Sequence, residues 1–388
     1  MAAQEAAGRM SLIHILGAVF VVLALVGALF AVAAGAVAAR LAAGPIPKLS
    51  EVPGLTLLKP LHGDEIGLEA NLRSFLSQDY PGPLQMVLGV QDPQDPALAA
   101  VESARQAHPN ADIAVVVDPR RHGANGKVSN LINMIPHASQ PVLVLSDADI
   151  AVPPGYLSRL AAALAEPGVG AVTCYYRGAA RGGAASVLAA MGVSYGFMPG
   201  VVLGAALGLA KPCMGSTIAL RRTVLDEIGG FEALKDVLMD DYDLGRAVRA
   251  RGYRVALPGF LVDHGCSEAS FGEVVAHEMR WAVTVRMIDP AGHIGSAVTH
   301  AVPLALIAAL LTGGAAYAWA ALLAALAARL WLKWRIDRAA GASSGPALLM
   351  PPRDIMSFAI FCGSLFASAV YWRGERFRVS SGRTISPV

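Results

Sequence analysis

Apolar and polar positions divide the chain into three stretches. From Ile13 to Ala39, about 27 residues pass with His14 as the one ionisable group. A helix of that length exceeds the ~20 residues needed to cross a bilayer. From about residue 45 to 290, short apolar runs alternate with segments of helical periodicity. "GLTLLKP" (54–60), "QMVLGV" (85–90), "DIAVVVD" (112–118), "PVLVLSD" (141–147) and "VGAVTC" (169–174) predict strands. "LEANLRSFLSQ" (68–78), the segment opened by Pro96 and "YLSRLAAALAE" (156–166) predict the helices between them. That alternation is the pattern of an α/β domain with a mainly parallel sheet. In the third stretch, Ala297 to Leu330 is apolar apart from His300, Arg329 and a few hydroxyls, with "TGG" (312–314) in its middle, and reads as two helices joined by a tight turn.

The expected organisation is an N-terminal transmembrane anchor (1–42), an α/β domain (43–295) and a C-terminal membrane region (296–388) with a hairpin at 297–331 and an apolar segment at 355–372. The last segment follows the Pro/Ser/Gly-rich linker "GASSGPALLMPPRD". A further uncharged run, "AASVLAAMGVSYGFMPGVVLGAALGLA" (184–210), lies inside the α/β domain. It separates two acidic clusters, so a true span would place them on opposite sides of the membrane. The expectation is an interfacial pair of segments broken at "MPG", lining the entry of a lipid; a buried core helix is the alternative.

Orientation follows from Lys and Arg. Arg9 precedes the first span, whereas Arg40, Lys48 and Lys59 follow it, and Arg329, Lys333, Arg335 and Arg338 follow the hairpin. The α/β domain is therefore expected in the cytoplasm, on the inner membrane of the cell. "AVAAGAVAA" would also suit signal-peptide cleavage, but the apolar run outlasts the ~7–15 residues usual there. A spanning 355–372 segment would send the basic tail "WRGERFR" outside, against the rule, so a re-entrant or interfacial placement is the other reading.

Composition narrows the class. The chain has 388 residues, 55% hydrophobic and 15% charged, with net charge +2. That balance offers no case for nucleic-acid binding by bulk electrostatics. Cys174, Cys213, Cys266 and Cys362 lack CxxC spacing and fit buried thiols rather than a zinc site.

The chemistry sits at the ends of predicted elements. "VLVLSDADI" runs a strand straight into Asp147 and Asp149, at the carboxyl edge where ligands of parallel sheets bind. Asp92 follows an earlier strand, and Asp240, Asp241 and Asp243 open a predicted helix. Singly, each could be a capping or turn aspartate. Together they suit a hard divalent cation that shares substrate phosphate oxygens. "RRHGANGKVSNL" (120–131) adds Lys127 at a helix start, where a pyrophosphate could be met, though GxxxxGK[ST] is absent. "HEMRW" (277–281) adds Arg280, a bidentate donor suited to a leaving diphosphate, and Trp281, which could stack on a ring or simply pack.

These motifs, taken in order, resemble the ceramide glucosyltransferase family, glycosyltransferase family 21, including its bacterial branch of hopanoid-associated enzymes. "LLKPLHGDEIGLEANLRSFLSQDYPGPLQMVLGVQDPQDPA", "SDADI", "DDYDLG" and "HEMRW" carry the resemblance over about residues 50 to 290 and the flanking spans. It implies a GT-A-type nucleotide-sugar-binding domain and an inverting transfer of a hexose from a UDP-sugar to a lipid hydroxyl. Asp92 would lie near the uridine. Asp149, with Asp147, would hold Mg²⁺ or Mn²⁺ at the diphosphate. Asp241 would be the base, and Arg280 and Trp281 would complete the last motif. His277 stands where the family pattern has Gln or Arg; protonated, it can still donate to a phosphate. The expected partners are a UDP-hexose donor, a membrane-lipid acceptor and the bilayer. N-acetylglucosamine on a hopanoid polyol (bacteriohopanetetrol) is the first choice, with glucose on ceramide as the alternative. A processive polysaccharide synthase would carry more spans and a Q(Q/R)RW motif. A non-catalytic lipid-binding scaffold would not need the acidic clusters intact.

The orientation can be tested directly. A cysteine probe placed near Asp118 should stay unmodified by an impermeant thiol reagent in intact cells. Labelling there would mean a cleaved signal peptide or an inverted first span.

Overall fold

The computed structural model describes residues 2–367 and, beyond them, the strands Val370–Trp372, Glu375–Val379 and Ile385–Pro387. The first helix, α1 (Ala2–Ala38), contains most of an apolar stretch from Leu12 to Leu41. Ala24, Ala28, Ala31, Ala34 and Ala38 are buried, whereas Leu12, Ile15, Val19, Val22 and Leu29 are exposed. Steps of three and four residues put the alanines on one face. Small residues let helix backbones approach closely inside a bilayer, where apolar burial between helices brings little gain. At Gly27 any Cβ would strike the Val298 carbonyl.

The α/β domain then follows in the expected alternation: β1 (Leu55–Pro60), α2 (Leu68–Leu76), β2 (Leu84–Val90), α3 (Ala97–Ala107), β3 (Asp112–Val117), α4 (Gly126–Met134), β4 (Val142–Leu145), the short β5 (Ile150–Ala151), α5 (Tyr156–Ala165) and β6 (Val169–Thr173). In α2, Leu68, Leu72 and Phe75 recur at helical spacing and are buried. Phe75 meets Tyr156 of α5 edge-on at 5.5 Å, and Tyr156 meets Phe260 at 6.1 Å. The chain continues through β7 (Tyr175–Ala180), α6 (Ala184–Met191), α7 (Met198–Ala206), β8 (Ile218–Arg221), α8 (Arg222–Glu227), α9 (Asp240–Ala250), β9 (Arg254–Ala256), β10 (Leu261–Cys266) and α10 (Phe271–Ile288).

The main sheet has the order β3-β2-β1-β4-β8-β6-β9. Leu58 of β1 registers with Val87 of β2 and Leu145 of β4, both parallel. β8 alone runs antiparallel, to β4 and β6, so the sheet is mainly parallel. Strand order turns back between β1 and β4, which opens a crevice outside their carboxyl ends. A second sheet, β5-β10-β7, stands beside it and pairs His264 with Ile150 on one side and Gly178 on the other.

The uncharged run at 184–210 differs from its expected form. It is helical from Ala184 to Ala206 without a break at "MPG". The irregularity is a π turn at Gly192–Phe197. Pro199 supplies the reason: it has no N–H for the carbonyl four residues back, that of Tyr195. Arg329 Nη1 donates to that carbonyl instead, at 2.8 Å. Much of the run is buried, Ala190, Met191, Val193 and Tyr195 included, while Leu207 and Leu209 just beyond it are exposed.

The C-terminal region begins with α11 (Pro290–Gly295) and α12 (Ala301–Leu311), bent by 66° between Thr299 and Ala301. A turn at Gly313 and Gly314, both at positive φ, leads into α13 (Ala316–Ala340). The hairpin thus runs past 331, since the charged residues beyond it still pack along a helix; Lys333 and Ile336 are buried. The apolar 355–372 segment does not form one helix. α14 (Met350–Ser364) has 15 residues, short of the ~20 that cross a bilayer, and a strand follows at Val370. Arg373 and Gly374 of the basic tail lie outside the described residues. Among the described residues, three helices are long and apolar enough to cross a membrane, Leu12–Leu41, Ala184–Ala206 and Ala316–Ala340, and the bent pair Pro290–Thr299 and Ala301–Leu311 would make a fourth span if taken together.

Candidate active site

β4 ends at Leu145, and the chain then presents Asp147 and Asp149 at the crevice. Across from them lies "CMGST" (213–217), which leads into β8. The Gly215 carbonyl accepts from the Asp147 N–H at 3.3 Å, and the Gly215 N–H donates to Asp241 Oδ2 at 2.8 Å. One backbone residue therefore spaces the two acidic motifs. Glycine leaves room for the side chains around it: a Cβ would come within 2.7 Å of Asp147 Oδ2 and 3.2 Å of Lys127 Nζ, and would push those groups aside.

Lys127 lies in the first turn of α4, capped by the Asn125 side chain, which accepts from the Val128 N–H at 3.1 Å. Asn125 also donates to the Val237 carbonyl at 2.8 Å, which ties α4 to the loop before α9. The Lys127 ammonium lies 2.6 Å from Asp147 and 3.4 Å from Asp240. Burial works against its charge, yet Asp147, Asp240 and Asp241 together raise its pKa. Its single positive charge offsets part of theirs. Asp241 opens α9, and its Oδ1 accepts from the Tyr242 N–H at 2.7 Å. Burial and the adjacent Asp240 push its pKa up to about 6.

Asp149 faces the second sheet, with Oδ2 at 3.5 Å from His264 Nδ1 of β10. Its Oδ1 is buried without a hydrogen-bond partner among the described residues. Burial raises its pKa, opposed by His264. His264 in turn touches Trp281, with ring centroids 6.1 Å apart. Trp281 also packs edge-on against His277 at 4.9 Å and against Phe197 of the π turn at 5.3 Å. His277 Nδ1 lies 2.6 Å from Glu268 Oε1. The last motif is thereby joined to Asp149 through His264. Arg280 is half-buried on the same helix, α10. Asp92 is placed differently: it sits on an exposed turn after β2 and accepts from the Gln94 N–H at 2.8 Å. It shares the carboxyl edge with Asp147, but no hydrogen bond or ion pair joins it to that cluster among the described residues. The buried aspartate of this loop is Asp95, which accepts from Gly63 and Ala97 N–H groups at 2.9 Å each.

Several residues escape the sequence reading. Lys59, at the end of β1, is fully buried; its Nζ donates to the Asp147 carbonyl at 2.8 Å and sits 3.8 Å over the Phe75 ring. Burial lowers its pKa to about 7, against the pull of Asp149 and Asp147. Glu65 is pushed up to about 7 by burial and then by Asp149. A charge inside "LLKP" and an Asp-His pair inside the strand "LVDHGC" are the signals that could have found Lys59 and His264.

The donor set fits a hard cation. Asp149 Oδ1 lacks a partner, and Asp147 Oδ2 borders the space that Gly215 keeps free. Among the described residues no three His, Cys, Asp or Glu side chains form a ready cage. Mg²⁺ or Mn²⁺ held here would draw the remaining ligands from diphosphate and water, as Mg²⁺ commonly does.

Residues 19–385 match the profile of Glycosyl transferase family 21. The chain belongs to that family. Among curated family relatives it is 27% identical to ceramide glucosyltransferase 1 of Caenorhabditis elegans over 209 residues, 53% of this chain and 44% of that protein. It is 24% identical to ceramide glucosyltransferase 3 of the same organism over 241 residues, 60% and 50% of the two chains. The chain spans about half the length of these relatives. Among solved structures, the mannosyltransferase PcManGT of Pyrobaculum calidifontis, determined with GDP-Man and Mn²⁺, aligns with TM-score 0.51 at 22% identity, covering 90% of this chain and 99% of that one. That likeness is one of fold, and the fold of this family member is GT-A-like, as expected.

Gly215→Ala should leave the protein folded and membrane-bound but abolish sugar transfer, because the new methyl displaces Asp147 or Lys127. Circular dichroism and a transfer assay in detergent check this; an active Gly215→Ala enzyme would show that the spacing of the two acidic motifs is not needed.

Proposed function

We propose that this protein transfers a hexose from a UDP-sugar to a hydroxyl of a membrane lipid, inverting the anomeric centre. The observation that carries the reading is the convergence of Asp147, Lys127 and Asp241 around Gly215, with Asp149 beside His264, at the crevice of a GT-A-like sheet in a chain with long apolar helices. The donor class is supported by family membership, and the lipid acceptor by the names of the curated relatives.

The residues divide the work. Asp241 accepts the proton of the acceptor hydroxyl as its oxygen attacks the anomeric carbon and the bond to the diphosphate breaks. Its two backbone hydrogen bonds fix the carboxylate, and its raised pKa makes it a better base than an exposed aspartate. Arg280 pairs with the departing diphosphate. Trp281 and Phe197 form an apolar wall beside it. Asp149 and Asp147 would hold Mg²⁺ or Mn²⁺, which offsets charge on the leaving group when bound. Asp92, on its exposed turn, is the candidate contact for the uridine.

For the acceptor, the overall likeness to the short bacterial branch favours N-acetylglucosamine on a hopanoid polyol. The curated relatives favour a second reading, glucose on ceramide. An assay in detergent should offer UDP-glucose and UDP-N-acetylglucosamine against both lipids. The expected product is the N-acetylglucosaminyl hopanoid, lost in Asp149→Asn and in excess chelator. A product with ceramide alone would replace the acceptor and keep the family reaction. A product with a soluble sugar alone, or undiminished activity in chelator, would overturn the lipid or the metal assignment respectively.

The pH profile tests the base. Asp241 works as the carboxylate, and its pKa is raised to about 6. Transfer should therefore be level above that pH and fall with a single-proton dependence as the pH drops through about 6. A rate independent of pH down to about 4, the range of an ordinary aspartate, would remove Asp241 from that role.

A further inference from the structure

Three elements outside the main sheet meet behind the helix that carries the last motif. Glu278 follows His277 in α10 and precedes Arg280 by two residues. Its carboxylate pairs with Arg353 of α14. The Arg353 side chain is 3% exposed. Its Nε donates to the Leu188 carbonyl of α6 at 2.8 Å and its Nη1 to Ser357 Oγ at 2.6 Å. The pair passes the π turn at Gly192, where any Cβ would strike both partners. Next to Arg353, Asp354 takes both arms of Arg329 from α13, at 2.6 and 2.8 Å. Ser194 of the π turn reaches Ser344 Oγ at 2.7 Å, and both bond to Gly178, the residue opposite His264.

A buried ion pair is a weak device for stability, because desolvation cancels much of the attraction. What it fixes is geometry. Side chains of a helix turn by about 100° per residue. Clamping Glu278 against α14 therefore sets the rotation of α10 about its axis, and with it the directions of His277, Arg280 and Trp281. Gly192 keeps the passage open, and three separate hydrogen bonds leave the guanidinium no second orientation.

We propose that Glu278 and Arg353 are positioning residues, through which the C-terminal helix α14 sets where Arg280 and Trp281 meet the substrates. The proposal rests on the transferase reading above. On this view α14 belongs to the working site rather than to the anchorage of the chain.

The test is a double-mutant cycle on the full-length protein in detergent, reading kcat, KM for the UDP-sugar and thermal midpoint. Glu278→Ala and Arg353→Ala should each lower kcat by about 100-fold, the scale of a small misplacement remote from the chemistry. The double variant should be no worse than either single one, as for residues acting as a unit. Glu278→Gln, which still accepts from Arg353, should restore most of kcat. Should Arg353→Ala not fold, Gly192→Ala takes its place, since it keeps both charges and blocks their meeting. A Glu278→Ala enzyme with wild-type kcat overturns the proposal. So do losses that multiply in the double variant, or losses that track a falling thermal midpoint. Absence of transfer by the wild-type protein would overturn the proposed function instead, and that result is read before any variant is made.

Discussion

Carboxylates brought to one crevice repel each other, and the structure of the site is organised around meeting that cost. Asp147 and Asp149 arrive from the end of β4, and Asp240 and Asp241 from the start of α9. Two like charges 4 Å apart repel by on the order of 4 kcal/mol at an effective dielectric of about 20. Lys127, from a third element, lies against Asp147 and Asp240. Lys59 approaches from beneath, bonded to the Asp147 carbonyl. Removing one partner from such a set leaves an uncompensated buried charge, typically about 3–5 kcal/mol. The Asn125 cap on α4 and the absence of a side chain at Gly215 both serve this arrangement.

The same constraint explains why Asp149 stands apart. It turns toward His264, and one of its oxygens is buried without a hydrogen-bond partner among the described residues. His264 then connects it by ring contact to Trp281. The acidic motif and the aromatic motif are thus linked through a histidine on a strand of the second sheet.

The long apolar helices are built into this domain. Small residues on α1 allow close contact with the helices that follow the α/β domain. Buried polar links run from α13 and α14 to the π turn at Gly192–Phe197. Pro199 leaves a carbonyl without its helical donor, and a guanidinium from another helix takes it. Phe197, in that same turn, packs on Trp281. Irregular backbone in this buried turn is therefore satisfied by protein, as buried polar groups require.

The alternation of apolar runs and helical periodicity determined the α/β class, the main strands and the first span, because those patterns are local. Asp147, Asp149 and Asp241 were legible for the same reason: each marks the end of an element. That they could meet at one crevice was legible from their places at element ends; how they are spaced was not, since Gly215 joins motifs separated by long stretches of chain. Lys59 and His264 were hidden inside apolar strands, where only the sheet's twist and pairing decide which way a side chain faces. Asp92 was singled out by position, yet the turn exposes it and the neighbouring Asp95 takes the buried place. The uncharged 184–206 run shows the same division. Its apolar character was legible, but the expected break at "MPG" is absent; Pro199 removes a local donor, and only the tertiary structure supplies its replacement, Arg329, because a carbonyl that loses its own donor must find another in space.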